Sequence, residues 1–263
     1  MHSDVSARLE ITVIEPAKIV FAIAAAEGLA AHEGLSITVA GSKLEPTLLT
    51  DAHGTRLHEV HAPAGAMVLD YQATVTEVGP PSPVNSLDLI RYMRPSRYCE
   101  SDTLSPTAQA EFVGLSGVDL LEAVSSWVGT RLDYIPGSSR PTDGAVSTLL
   151  AREGVCRDYA HLVIALLRAA GIPARMAAAY APGLKPMDFH AVAEAYVDGV
   201  WNVVDATVLA PRQNMIRIAT GRDAADTAFM DVLSGVATLD GMWVTAVTDQ
   251  LATDDVRELV QLG

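Results

Sequence analysis

Three residues suited to thiol chemistry follow one another along this chain: Cys156, His190 and Asp205. Cys156 lies in "GVCRDYAHLVIALLRAAGIPAR", residues 154–175, where a mostly apolar run starts at the cysteine and stops at Gly171 and Pro173. The spacing predicts a helix from about Cys156 to Ala170, with Ala160, Val163, Ile164 and Leu167 as its apolar stripe. Gly171 fits the position just past the end, and Pro173 prevents continuation. A cysteine at a helix start is placed for reactivity. The first backbone N–H groups have no intrahelical acceptor, and the macrodipole presents partial positive charge there. Both favour thiolate over thiol. A neighbouring imidazolium favours it further, and such cysteines titrate at roughly 3.5–7.5. The same free N–H groups can hold a developing oxyanion.

The base and its orienting partner come from "HAVAEAYVDGVWNVVDAT", residues 190–207. Asp198-Gly199 is a strong signal for a two-residue hairpin loop. Such a loop sets the register. If Val197 faces Val200, Val192 falls opposite Asp205 and His190 opposite Thr207. His190 and Asp205 then project from one face as diagonal neighbours, roughly 7–8 Å apart at the backbone end. A carboxylate and an imidazole can close that gap. Taken singly, each residue has an ordinary structural reading: a small buried hydrophobe, a strand histidine, a strand-end cap. Their conjunction is what points to a nucleophile, a base and an orienter.

The elements that must position these residues fall into two parts. "RLEITVIE", "LSITVAG" and "AMVLDYQATVTEV" alternate with period two between about residues 8 and 78, punctuated by glycines, and predict a small antiparallel β-sandwich-like domain. "GPPSPVNS", residues 79–86, breaks the pattern and predicts a loop. The division expected is therefore 1–85 for a β domain and 86–263 for an α+β domain. In the second part, "SPTAQAEFVGL" predicts a helix capped by Ser105 with Pro106 at its first position. "GVDLLEAVSSWVGTRLDY" predicts a second helix, and "PTDGAVSTLLAREG" a third, capped by Thr142 or Asp143 and stopped by Gly154. After the Cys156 helix, "ARMAAAYA", "HAVAEAYV" and "VWNVVDAT" predict three strands, so helices precede an antiparallel sheet. Near the C-terminus "GMWVTAVTD" predicts a strand and "DDVRELVQL" a short helix.

At these motifs the chain resembles the transglutaminase-like superfamily, papain-like thiol enzymes. Their pattern runs G-x-C-x-x-x-A, a helix ending G-I-P-A-R, then H-A-W-x-E and W-x-x-x-D-P-T. The cysteine element and "GIPAR" match fully; the family's histidine falls on His190 and its aspartate on Asp205. Two positions depart: Val192 stands for the usual tryptophan and Ala206 for the proline. The resemblance implies a papain-like core with a nucleophile helix packed on an antiparallel sheet. It also implies a cysteine peptidase or amidase acting through an acyl-enzyme, with a peptide or protein amide as substrate. The alternatives are a protein-glutamine gamma-glutamyltransferase, in which an amine resolves the acyl-enzyme, and a non-catalytic transglutaminase-like binding module. Trp127 is a candidate second oxyanion donor, because an upstream tryptophan serves that role in true transglutaminases.

Other polar residues are expected to be structural. Asp158 suits the helix dipole and should point away from the sulfur. His161 lies five residues past the cysteine, ~140° round the helix, and so is not the base. Arg175 and Trp201 read as packing residues. His53, His58 and His61 are close in sequence, but only His53 and His61 share strand parity, which weakens a metal site. Zinc held by Cys156, His190 and Asp205 would leave the helix-start placement without a purpose. No cofactor or metal is expected.

Composition narrows the partners. Hydrophobic residues make up 49% of 263, enough for a substantial core. Eighteen basic against 32 acidic side chains give a net charge of −14, which argues against nucleic acid or an anionic membrane surface. No run reaches the ~20 apolar residues of a membrane span. The first residues lack a secretory pattern, and two cysteines, Cys99 and Cys156, make no disulfide framework. The expectation is a cytoplasmic protein with two free thiols.

Overall fold

The computed structural model describes residues 2–76, 79 and 84–262; of the proline-rich segment expected to form a loop, residues 80–83 lie outside the described residues. The first strand shows the alternation that half-burial requires. In β1 (Ser3–Phe21) the odd positions from Val5 to Val13 are buried, and those between them are not. It is followed by β2 (His32–Val39), β3 (Ser42–Lys43), β4 (Thr47–Thr50), β5 (Arg56–Ala62) and β6 (Gly65–Val75). These pair antiparallel in the order β3-β2-β6-β1-β5-β4. β1 is long enough to pair with β6 through Ser3–Val13 and then with β5 through Ala17–Phe21. The sheet curls over one apolar interior built on Leu9, Ile11, Ile19, Phe21, Met67 and Leu69.

The helical part begins with α1 (Ser86–Arg91), whose Leu87 N–H is accepted by the Asn85 side chain. α2 (Ser105–Glu111) starts one residue earlier than the expected cap: Leu104 is the N-cap and Ser105 is already helical. Of the stripe expected at Val118, Leu121, Val124, Trp127 and Val128, α3 (Gly117–Arg131) buries Leu121, Val124 and Val128 and leaves Val118 and Trp127 half-buried. After β7 (Asp133–Tyr134), α4 (Ala145–Ala151) begins beyond the caps expected at Thr142 or Asp143. Its N-cap is Gly144, and the reason is tertiary. The Glu100 carboxylate packs where a Cβ on Gly144 would stand, and it accepts the Val146 N–H. The helix stops at Arg152 in the left-handed region, φ 59°, two residues before the expected Gly154.

β8 (Glu153–Gly154) then pairs in parallel with β7 and leads into α5 (Cys156–Ala169). The expected stripe of four residues understates this helix: every side chain from Asp158 to Arg168 is buried. α2, α3 and α4 pack against it, as do β9 (Ala174–Tyr180) and β10 (Phe189–Val197). β10 turns through Asp198 and Gly199, φ 56° and 84°, into β11 (Val200–Val204). Both central residues are left-handed, as this tight turn demands. Val197 pairs with Val200 and Ala193 with Val204, the register expected from sequence. β12 (Ile216–Gly221) completes a sheet of order β11-β10-β9-β12.

After α6 (Ala224–Thr227), the chain returns to the first sheet. β13 (Met230–Thr248) pairs with β1 from end to end. The large sheet is thus completed by residues distant in sequence from 1–85. The tail, residues 254–262, is not the expected helix. The Arg212 guanidinium binds the Asp254 carboxylate and the carbonyls of Asp255 and Glu258, while Val203 N–H donates to the Val260 carbonyl at 2.7 Å. Those contacts take carbonyls that a helix would need. The architecture is α+β, with helices and a four-stranded sheet around α5 and a curled antiparallel sheet beside them.

Candidate active site

Val155 is the N-cap of α5 and Cys156 its first residue. This start is fastened from two sides. Asp158 reaches back to accept the Val155 N–H at 2.8 Å and accepts Ser139 Oγ at 2.9 Å. Asp158 therefore faces the helix entry rather than the sulfur, as expected. Gly154 makes this possible, since a Cβ there would stand 2.7 Å from Asp158 Cβ. That is the physical need for the glycine two residues before the cysteine. Cys156 itself is half-buried and free, whereas Cys99 is fully buried, its thiol pushed well above the usual range by burial.

His190 and Asp205 meet as the hairpin register requires. His190 donates from Nε2 to Asp205 Oδ2 at 2.8 Å, with both side chains almost wholly buried. The other carboxylate oxygen accepts the Thr207 N–H at 2.9 Å and its hydroxyl at 2.7 Å. Thr207 was placed opposite His190 by sequence, but its hold on Asp205 was not foreseen; an Asp-x-Thr turn was the available signal. Gly129 of α3 lets the helix approach this loop, since a Cβ there would lie 2.7 Å from the Ala206 carbonyl.

The electrostatics follow from that packing. Burial opposes ionisation of Asp205, but the His190 charge and the His190 and Thr207 hydrogen bonds hold it below the usual carboxylate range. Burial likewise opposes charge on His190. The Asp205 carboxylate outweighs it and, with the neighbouring Cys156 thiol, raises the imidazole to about 10. Nδ1 of His190 has no conventional hydrogen-bond partner and is the nitrogen left for the thiol.

Tyr134 is a site residue that sequence reasoning missed. Its hydroxyl is near both the Cys156 thiol and the Cys156 backbone N–H. Burial first, and then the charge on Cys156, push its pKa up to about 12, so it stays a donor at neutral pH. The two-residue pairing of β7 with β8 puts it there, with Ile135 N–H bonded to the Gly154 carbonyl at 3.0 Å. No local pattern announces a pairing that short. Asp188, two residues before His190, is open to solvent and within electrostatic reach of both His190 and Tyr134.

The remaining sequence candidates lie elsewhere. Trp127 spends its indole N–H on Glu111 at 2.7 Å, with Arg131 over its ring. It is not turned to the thiol. His161 is buried against Tyr98 and accepts the Ala224 N–H, and burial drops its pKa to about 3. Arg175 is fully buried, ion-paired to Glu194 and stacked over Trp201. His53 contacts the Tyr92 hydroxyl, His58 is buried, and His61 is exposed beside Glu59. Among the described residues no three His, Cys, Asp or Glu side chains stand together as a metal-holding group. No helix among them is long and apolar enough to cross a membrane.

The sequence model of the Transglutaminase-like superfamily matches residues 114–206, the span that holds Cys156, His190 and Asp205. The crystal structure of a "putative cysteine protease" from Cytophaga hutchinsonii is 32% identical, with a TM-score of 0.86 over 96% of this chain and 92% of that one. The chain belongs to the transglutaminase-like superfamily. Curated relatives are similar over shorter spans. An uncharacterized Mycobacterium leprae protein is 31% identical over 114 residues, which cover 40% of this chain and 41% of that one. An uncharacterized Mycobacterium tuberculosis protein is 43% identical over 63 residues, 24% of this chain and 20% of that one. Within this transglutaminase-like core, Val192 packs with Ala177, Ala179, Leu184 and Val203 in a small buried cluster. The departure from tryptophan is accommodated there.

Proposed function

We propose that the chain is a thiol-dependent acyl-transfer enzyme cleaving peptide or amide bonds, with Cys156 as nucleophile, His190 as general acid and base, and Asp205 as its orienter. The observation that carries this is Cys156 at the first turn of α5 beside a histidine whose far nitrogen is held by a buried carboxylate. An ionised Asp205 fixes Nε2 as protonated and leaves Nδ1 for the thiol proton. Cys156 Sγ attacks the carbonyl carbon. The C–N bond then breaks as the imidazolium gives its proton to the departing amine, leaving a thioester. Water attacks the thioester, giving a proton to His190, and the carboxylic acid leaves as the thiol is restored. The Cys156 N–H and the Tyr134 hydroxyl are the donors for the oxyanion formed in each half.

Hydrolysis is preferred over amine transfer because the 32% identical Cytophaga protein is described as a "putative cysteine protease". Two free thiols, one in the core, suit a reducing cytoplasm, where we place the protein. A peptide and amide library, read by mass spectrometry for an acyl adduct on Cys156, is the test. The expected result is an adduct that decays to free acid and is absent from Cys156→Ala. Amide product at millimolar amine would make the protein a transferase. Equal product from Cys156→Ala would end the thiol reading altogether.

A further inference from the structure

A sheet edge presents unpaired N–H and C=O groups, and proteins usually keep such edges short or covered. This chain does so at four places. The large sheet ends in β3 and β4, only two and four residues long. In the smaller sheet, β11 is covered by the C-terminal tail through the bond from Val203 to Val260. β12 is covered by the N-terminal region, where Ala26 N–H meets the Arg217 carbonyl and Thr220 N–H meets Thr55 Oγ1.

β13 is treated differently. It runs for 19 residues and pairs only with β1 among the described residues. Val232, Leu233, Val236, Leu239, Trp243 and Val247 on it are 38% to 59% exposed. A long bare edge with apolar side chains is a template for another strand.

Charge and size point to the occupant. The strand carries only two ionisable side chains, Asp231 and Asp240, in a chain of net charge −14. Two copies repel one another over most of their surfaces, and this strip is where that repulsion is weakest. At ~3.3 Å per residue the strand is about 60 Å long; with a sheet layer ~10 Å deep it offers about 600 Å² per copy. Twice that is at the lower end of what a specific dimer needs.

We propose that β13 pairs with the β13 of a second copy, antiparallel across a two-fold axis, joining the two large sheets into one. An overlap centred on Leu239, the middle of the strand, brings Asp231 opposite Val247 and Asp240 opposite Thr238, so no carboxylates are directly opposed; the two Asp240 side chains stand as diagonal neighbours across the axis. It also sets Trp243, whose ring packs on its own Gly241, opposite Gly235, which has no side chain to obstruct it. Bulges against β1 coil the strand, so this is an overlap of edges rather than an unbroken ladder.

Sedimentation equilibrium of the full chain is the test. The wild type should be a dimer at micromolar concentration. Leu239→Lys sets like charges across the axis and should weaken association at least tenfold, with an unchanged circular dichroism spectrum. Leu48→Lys, at the equally exposed β4 edge, should leave it unchanged. In a Cys156→Ser background, Leu239→Cys should form a disulfide-linked dimer on mild oxidation and Leu48→Cys should not. A wild type that stays monomeric at about 100 µM overturns the proposal. So do open-ended assemblies, or equal behaviour of the two edges.

Discussion

Strand β10 carries two buried charged assemblies four residues apart, and they are built to opposite ends. At Glu194 both carboxylate oxygens are taken by cations: Arg175 and Arg217 share Oε2 at 2.8 Å each, and Arg217 also holds Oε1 at 2.7 Å. Burial opposes that charge, but the two arginines hold Glu194 down to about 2. The terminal nitrogens of Arg175 have no hydrogen-bond partner, and the guanidinium lies 4.1 Å over the Trp201 ring. At His190 the carboxylate side is equally well held, but one ring nitrogen is kept back for a thiol. A carboxylate with both oxygens held by arginines fixes the sheet and, through Arg217 and the Leu262 carbonyl, the tail; a histidine with one nitrogen left over can move a proton. Burial and opposite charge are common to both, so neither by itself marks a reactive site.

The comparison breaks if the two assemblies respond alike to mutation. The largest effect is expected on activity. Asp205→Ala or His190→Ala should slow turnover by on the order of 10²–10⁴, while chemical denaturation shows a comparatively small loss of stability. Unfolding of Asp205→Ala as easily as any Glu194 variant would make both assemblies structural. Glu194→Gln should do the reverse. It leaves two arginines buried without their counter-charge, at a cost of about 3–5 kcal/mol in urea unfolding. Where it remains folded, Cys156 should still alkylate at the wild-type rate.

Two smaller effects sharpen the contrast. Tyr134→Phe should lower kcat by on the order of tenfold to a hundredfold with KM little changed, since in the proposed mechanism it removes an oxyanion donor. An unchanged kcat would leave Tyr134 as packing. Iodoacetamide at pH 6 to 7 should label Cys156 at least about tenfold faster than the buried Cys99. Equal, slow labelling of the native protein would remove the nucleophile assignment.

The pH dependence has a definite sign. His190 is raised, so its pairing with Asp205 contributes stability fully below the ordinary histidine value and loses it as pH rises through about 10. Asp205 is lowered, so its share is lost as pH falls through that depressed value. His190→Gln should flatten the alkaline limb of the stability curve. A limb that persists in this variant belongs to another group.

Much of the site was legible because it is local. The Asp198-Gly199 turn set the pairing of β10 with β11, and a register so short in range brings His190 onto the face of Asp205 whatever surrounds it. The glycine, cysteine and "GIPAR" bounds of α5 are equally local, each turning on one or two backbone conformations. Where local signals erred, a distant group had intervened. Glu100 displaced the cap of α4, and Arg212 claimed the carbonyls of the tail.

Amino-acid order by itself thus determined the Cys156 helix, the hairpin and the partners the hairpin opposes, since turn dihedrals and side-chain alternation act over a few residues. Tertiary structure alone decided that Tyr134 stands at the thiol, that Arg175 and Arg217 close on Glu194, and that β13 crosses back to β1 and leaves its far edge bare. Those contacts join segments tens to hundreds of residues apart. Their free energy comes from burial and charge pairing in the assembled core, for which no short stretch of sequence carries a period.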